Sequence, residues 1–180
     1  QDMNIISLKT AFTASGIVEK VFIFNQDTER EALYNNILNK DKLKYHKKIG
    51  EIIEARYKKE IEDYYEVIYT HFSRANQVEK AAQYAFRTAV QFRNIYDMAS
   101  SLEYYNKFLD LALSKKDLED ERVFQAYRDM GYINFLTAEY KKALDNLNKA
   151  LERAKLYDDI YSVKLMIADV YKEQDFYDKA

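Results

Sequence analysis

Residues 127–151 read YRDMGYINFLTAEYKKALDNLNKAL. Their apolar side chains recur three and four residues apart, the spacing that places them on one face of an α-helix. Gly131 lies in the first half of this stretch and Ala143 follows 12 residues later. The stretch therefore predicts two amphipathic helices that approach each other closely at small residues.

The same pattern occurs 42 residues earlier in the chain. Two apolar stripes advance in steps of 4, 3, 4 and 3 residues, namely Met98, Leu102, Tyr105, Leu109, Ala112 and Tyr140, Leu144, Leu147, Leu151, Ala154. Each stripe follows a helix with a central small residue, Ala89 or Gly131, and Ala168 comes 37 residues after Gly131. Ser101, Ala143 and Ala180 are the matching small residues 12 positions later. We expect helical hairpins in which Gly131 faces the neighbourhood of Ala143.

Residues 127–151 resemble a tetratricopeptide repeat (TPR), with an aromatic, a small residue, and then Ala, a bulky residue and Ala at the family's spacing. Residues 167–171 and 177–180 resemble the start of another repeat. The resemblance implies an all-α fold, a right-handed α-solenoid of TPR-like helical hairpins. The spacings of 42 and 37 residues exceed the family's roughly 34 residues. An insertion is expected at residues 114–117, and the proline that usually ends the second helix is missing.

The first part of the chain reads differently. Residues 7–15 and 18–25 favour β-strands joined by a turn at Ser15 and Gly16, which predicts a small β-hairpin. Thr28 and Glu31 match a capping box and predict a helix over residues 29–38. Lysine-rich residues 39–42 are expected to form a connection, followed by helices over residues 43–57 and 59–74.

This region also resembles the junction between winged helix and repeats in STAND-type signalling ATPases, which are often fused to nucleotide cyclase or kinase domains. The matching positions are Val21 through Gln26, Glu31, Tyr34, Leu38, His46, Ile49, Gly50 and Glu54, followed by the stretch from Tyr69 to Ala81. Gln26 stands where the family commonly carries histidine. The resemblance implies a winged-helix remnant and the first repeats of a sensor region, with the ATPase upstream of this chain.

Two regions are therefore expected. Residues 1–40 would form a β-hairpin plus helix, a winged-helix-like remnant, and residues 41–180 would form TPR-like helical repeats truncated at the C-terminus. Because the second helix of a repeat has barely begun at Ala180, we expect the chain to be a fragment of a longer multidomain protein.

Composition argues for binding rather than catalysis. The 28 basic and 30 acidic residues leave a net charge of −2, so no global field attracts nucleic acid or an anionic membrane. Cysteine is absent, no apolar run reaches the roughly 20 residues of a membrane helix, and three scattered glycines cannot form a phosphate-binding loop. We expect a cytoplasmic protein with no enzyme activity, no cofactor, no metal and no catalytic residue.

Several side chains were weighed as site candidates. His46 and His71 are too few for the usual zinc motifs, so packing or capping roles are expected. Glu51 with Glu54, and Glu62 with Asp63, are expected on solvated helix faces. Five lysines could contact a phosphate backbone, but acidic residues follow directly and favour a solvated face: Lys40, Lys42, Lys44, Lys47 and Lys48.

The first helix of each TPR hairpin lines the concave face, and this register predicts a groove that binds a peptide or helix of a protein partner. The groove residues are Gln83, Phe86, Arg93, Asn94, Gln125, Arg128, Tyr132, Phe135, Asp169 and Lys172. The function expected is a protein-interaction or sensor segment of a signalling ATPase or cyclase-associated protein. Two alternatives stay open: a DNA-associated regulator that uses the winged-helix remnant, and a scaffold that self-associates through its open C-terminal end.

Overall fold

The computed structural model describes the backbone of residues 6–12, 18–114 and 121–178. Within these ranges the chain is mostly helical, with eight α-helices and a small antiparallel sheet. It forms two compact units, Gln1–Gln77 and Val78–Ala180. The boundary expected between residues 40 and 41 concerns where the repeats begin, and it stays a prediction.

The first unit opens with the predicted β-hairpin. Strands β1 (Ile6–Phe12) and β2 (Val18–Phe24) pair antiparallel, with Ile6 opposite Phe24 and Leu8 opposite Phe22. The turn expected at Ser15 and Gly16 lies outside the described residues. The helices of this unit are α1 (Asp27–Asn36), α2 (Asn39–Arg56), a 3₁₀ helix (Ile61–Tyr64) and α3 (Tyr65–Arg74).

Two local predictions in this unit are wrong. Thr28 does not cap α1, because the helix begins at Asp27, and its N-cap residue Gln26 makes no side-chain cap bond. The negative charges of Asp27 and Glu29 favour a helix start at this point. Residues 39–42 are not a connection but the first turn of α2, since lysine is a good helix former.

The two histidines contact each other, and this contact was not predicted from the sequence. His46 Nδ1 lies 2.9 Å from His71 Nδ1, and His46 Nε2 lies 2.9 Å from the Tyr34 hydroxyl. These contacts connect α1 to α2 and α2 to α3. His46 is buried, which agrees with the packing role expected for it.

The second unit consists of two helical pairs and a long last helix. Its elements are α4 (Val78–Asn94), α5 (Met98–Leu113), α6 (Glu121–Leu136), α7 (Tyr140–Leu151) and α8 (Tyr157–Asp178). The most extensive contacts join α4 with α5 and α6 with α7. The insertion expected at residues 114–117 falls largely outside the described residues.

The buried positions of the two pairs repeat with the 42-residue period of the sequence. The buried residues Ala81, Ala82, Tyr84, Ala85, Thr88 and Ala89 of α4 correspond to Val123, Phe124, Ala126, Tyr127, Met130 and Gly131 of α6. Similarly, Ser101, Tyr104, Tyr105 and Phe108 of α5 correspond to Ala143, Asn146, Leu147 and Ala150 of α7. Both pairs thus use the same helix faces.

Small and polar residues hold each pair together. A Cβ atom at Gly131 would lie 2.6 Å from Leu147 Cγ, so Gly131 packs against Leu147, one turn after the expected Ala143. The Ser101 hydroxyl donates to the Ala89 carbonyl at 2.9 Å. In the second pair, Asn146 Nδ2 donates to Asn134 Oδ1 at 2.9 Å.

The turns inside the two pairs are also equivalent. Tyr96 and Ala138, 42 residues apart, have φ of 63° and 59°, in the left-handed region. The amide of the next residue bonds the carbonyl five positions earlier, Asp97 to Phe92 at 3.0 Å and Glu139 to Asn134 at 2.8 Å. This is a Schellman motif, which satisfies the last carbonyls of a helix.

The third repeat does not form as expected. Helix α8 continues to Asp178, so Tyr177 lies in the same helix as Ala168 and does not begin a second one. Ala168 is exposed, whereas Ala89 and Gly131 are buried. Its expected partner Ala180 lies outside the described residues. Among the described helices, none combines the length and apolar character needed to cross a membrane.

Candidate partner-binding groove

The ten predicted groove residues lie on three helices of the second unit. Gln83, Phe86, Arg93 and Asn94 belong to α4, four more belong to α6, and Asp169 and Lys172 belong to α8. The structure brings five of them together in two neighbouring places between α4 and α6. We call this surface the α4–α6 groove.

The first place is a cavity of about 660 Å³. Its lining includes Gln83 and Phe86 of α4 and Gln125 of α6. The Phe86 ring packs against two rings of α5, with its centroid 5.8 Å from that of Tyr105 and 5.2 Å from that of Phe108. The cavity therefore offers a held aromatic ring beside two amides.

The second place is centred on Asp129, a carboxylate whose side chain is only 9% exposed. Asp129 Oδ2 accepts hydrogen bonds from Arg93 Nη1 and, at 2.8 Å, from the Tyr105 hydroxyl. Asp129 Oδ1 accepts from Arg128 Nη2 at 3.1 Å and Nε at 3.3 Å. Both carboxylate oxygens are thus satisfied, and Asp129 connects α4, α5 and α6.

The surroundings of Tyr105 in this cluster keep its hydroxyl protonated. Burial, and next the charge of Asp129, raise the pKa of Tyr105 far above its usual range, so its hydroxyl stays protonated and donates. Two guanidinium groups face one carboxylate, which leaves a local charge of about +1. The side chains of Arg93 and Arg128 are each 31% exposed, so this positive charge reaches solvent.

The other predicted residues of α4 and α6 contribute less directly. Tyr132 is 44% exposed. Phe135 leans toward α7, with its ring centroid 6.4 Å from that of Tyr140. Asn94 is exposed and accepts a 3.5 Å bond from Arg93 Nη2.

The structure does not connect the α8 residues to this groove. Asp169 and Lys172 are both exposed, and no hydrogen bond or ion pair joins them to the other eight residues in the described part of the chain. Helix α8 packs on α7 and, to a lesser extent, on α6. The assignment of Asp169 and Lys172 to the groove stays a prediction.

Sequence reasoning missed Asp129 and the charged lining of the cavity, Glu79, Lys80, Arg87 and Arg122. A signal for Asp129 was present. It lies three residues after Ala126 and four before Ile133, so helical spacing places its carboxylate on the buried face. A buried carboxylate requires partners, and Arg128 beside it was already a candidate.

Most of the remaining charged candidates are exposed, but Lys42 and Glu54 are half-buried. On α2, Lys47 pairs with Glu51 at 4.0 Å, and Lys42 lies 4.6 Å from the ring centre of Tyr34. Glu62 and Asp63 are exposed. Across the described residues, no group of three or more His, Cys, Asp or Glu side chains is arranged to hold a metal ion.

Comparison with protein-family models and with curated proteins gives no match.

Proposed function

We propose that this chain is a protein-interaction segment whose α4–α6 groove binds a peptide or helix of a partner protein. The observation that carries the proposal is the convergence of five predicted residues between α4 and α6. Three of them line the cavity and two, Arg93 and Arg128, meet at Asp129. Aromatic and arginine side chains held in place are the usual anchors of protein interfaces.

The proposal includes TPR-like architecture for the repeats. Its support is the 42-residue period, which is found in the sequence, in the buried positions and in the turns at Tyr96 and Ala138. In a right-handed α-solenoid of such hairpins, α4 and α6 would be the first helices of successive repeats and would line the concave face.

We further propose that the segment acts as a sensor in a larger signalling protein of the STAND ATPase kind. Its β-hairpin, followed by α1, matches the order expected for the end of a winged helix. Partner binding in the groove would bias the upstream domain, and the segment itself would perform no catalysis. The absence of cysteine fits a reducing compartment such as the cytoplasm.

The experiment is a selection of short random peptides on the immobilised chain. Enriched peptides are then titrated calorimetrically against the native chain and against the double variant Arg128→Ala, Tyr132→Ala. We expect the double variant to lose at least about tenfold in affinity, because it removes a charged side chain of the groove and an exposed aromatic side chain on the same helix, α6. The matched control is Tyr157→Ala on α8, whose ring is 80% exposed.

The helical content of each variant is checked by circular dichroism. If the folded double variant binds every enriched peptide as tightly as the native chain, the groove is not the binding site. If Tyr157→Ala weakens binding as much as the double variant, the assignment to α4 and α6 is also wrong.

A further inference from the structure

The α4–α6 groove is more basic than the chain that carries it. The cavity is lined by Lys80, Arg87 and Arg122 against the single carboxylate of Glu79. The neighbouring cluster adds two arginines and one aspartate. The groove thus contains five cationic side chains and two carboxylates, while the whole chain has a net charge of −2.

Asp129 fixes the positions of the two arginine side chains and neutralises only one of their two charges. Its two oxygens accept hydrogen bonds from Arg93 and Arg128, which lie on different helices, and the Tyr105 hydroxyl also donates to Oδ2. In the described part of the chain, Arg128 Nη1 has no hydrogen-bond partner, and the guanidinium carbon lies 5.6 Å from the ring centre of Phe124. A guanidinium already held on one edge loses less conformational freedom when its free donors bind another carboxylate.

We propose that the groove selects an acidic peptide segment of its partner, and that one carboxylate of that segment binds the paired guanidiniums of Arg93 and Arg128. Asp129 is a positioning residue in this arrangement. This inference rests on the proposed function, because it names the chemical class of the partner for the same groove.

The geometry also sets the spacing of the acidic residues. Arg93 lies seven residues after Phe86 on α4, which is about 10 Å along a helix axis. An extended peptide covers about 10 Å in three residues. A carboxylate at the arginine pair and a second one at the basic cavity should therefore be three residues apart, with an aromatic side chain next to the second carboxylate for the Phe86 ring.

The probe is a fluorescein-labelled peptide with the sequence GEYGEFG, and its matched control is GQYGQFG. Fluorescence anisotropy at low salt should show binding of the glutamate peptide at least about tenfold tighter than that of the glutamine peptide. Binding of the glutamate peptide should weaken as salt rises, because partly exposed charges are screened.

The decisive variants are Arg128→Glu and Lys141→Glu. Both change the net charge equally, but Lys141 lies exposed on α7, a helix that contributes no residue to the groove. We expect Arg128→Glu to reduce affinity for GEYGEFG by at least about tenfold and Lys141→Glu by less than about twofold. Arg128→Glu should in turn bind GKYGKFG better than the native chain does. If Arg128→Glu does not fold, Arg93→Gln tests the same contact.

Failure of this inference can be distinguished from failure of the proposed function. Suppose that the selected peptides have no excess of Asp and Glu and that the Arg128→Ala, Tyr132→Ala variant no longer binds them. The groove is then still the binding site, but its preference for acidic peptides is overturned. Equal losses in Arg128→Glu and Lys141→Glu would also overturn the preference, since they would show only a long-range charge effect. If no selected peptide depends on the groove, both proposals fall.

Discussion

Gly131 of α6 lies against Leu147 of α7 so closely that a Cβ atom at residue 131 would stand 2.6 Å from Leu147 Cγ and 2.7 Å from Cδ2. Leu147 is fully buried, so it has little room to move. We expect Gly131→Ala to lower the free energy of unfolding by about 1 kcal/mol and Gly131→Leu by about 3 kcal/mol, despite better helix propensity. Urea unfolding followed by circular dichroism measures both.

A double-mutant cycle separates the close contact from other effects. In a Leu147→Ala background the contacts with Cγ and Cδ2 are gone, and only a 3.3 Å contact with the backbone N of residue 147 remains. Gly131→Ala should then raise stability by up to about 1 kcal/mol through helix propensity. The same sign for Gly131→Ala in both backgrounds would show that Gly131 and Leu147 are not in contact.

Ala138 offers a stabilising change. Its φ of 59° is unfavourable for a residue with a side chain, and the turn it occupies ends α6. We expect Ala138→Gly to stabilise the chain by about 1 kcal/mol. The control is Ala168→Gly in the exposed interior of α8, which should destabilise by about 1 kcal/mol. Thermal melting of the two variants should shift in opposite directions, and a shift in the same direction would contradict the turn geometry.

Asp129 should matter for stability more than any single one of its partners. Asp129→Ala leaves two partly buried guanidiniums and the Tyr105 hydroxyl without their acceptor, at a cost of about 3 kcal/mol. Tyr105→Phe removes one hydrogen bond, at a cost of about 1 kcal/mol. Chemical denaturation of both variants gives the ranking, and a larger loss for Tyr105→Phe would contradict the central position of Asp129.

The histidine pair predicts a pH dependence of stability. Burial is the main cause that lowers the pKa of both imidazoles below the usual value of 6.5. The charge of Arg74 also lowers the pKa of His46, and the charges of His46 and then of Arg74 also lower the pKa of His71. Below about pH 6.5 the unfolded chain therefore binds more protons than the folded chain. The free energy of unfolding should therefore be highest above pH 6.5 and should fall as the pH drops through the lowered pKa values.

Urea unfolding between pH 8 and pH 5 measures this dependence. These are the only two histidines of the chain, so His71→Gln should flatten the decline by removing one titrating group while keeping a partner for His46. An unchanged slope in His71→Gln would show that the decline has another origin.

The period of the sequence predicted most of the fold in the second unit. Apolar spacing identified α4 through α7, because amphipathic helices must bury one face. The turns at Tyr96 and Ala138 were not predictable in detail, since neither tyrosine nor alanine favours the left-handed conformation that tertiary pairing imposes there. The second helix expected from Tyr177 was wrong, since α8 continues without interruption from Tyr157 to Asp178.

The candidate site was predicted in part. Helical register placed Phe86, Arg93 and Arg128 on the α4–α6 groove, but it could not show that the arginines converge. That convergence depends on Asp129, which helical spacing places on the buried face of α6 but whose bonds to α4 and α5 follow from the packing of three helices. His46 and His71 are 25 residues apart in the chain, and their contact likewise depends on how α2 and α3 pack.

The proposed function puts a partner peptide in the α4–α6 groove at the Arg93–Asp129–Arg128 cluster. Its most direct test is nuclear magnetic resonance of the ¹⁵N-labelled chain titrated with GEYGEFG, observing the backbone amides and the arginine Nε–H groups. We predict that the largest shifts belong to Arg93 and Arg128 Nε–H and to the amides of α4 and α6. Shifts confined to α2, α8 or the β-hairpin, with both arginine signals unmoved, would contradict it.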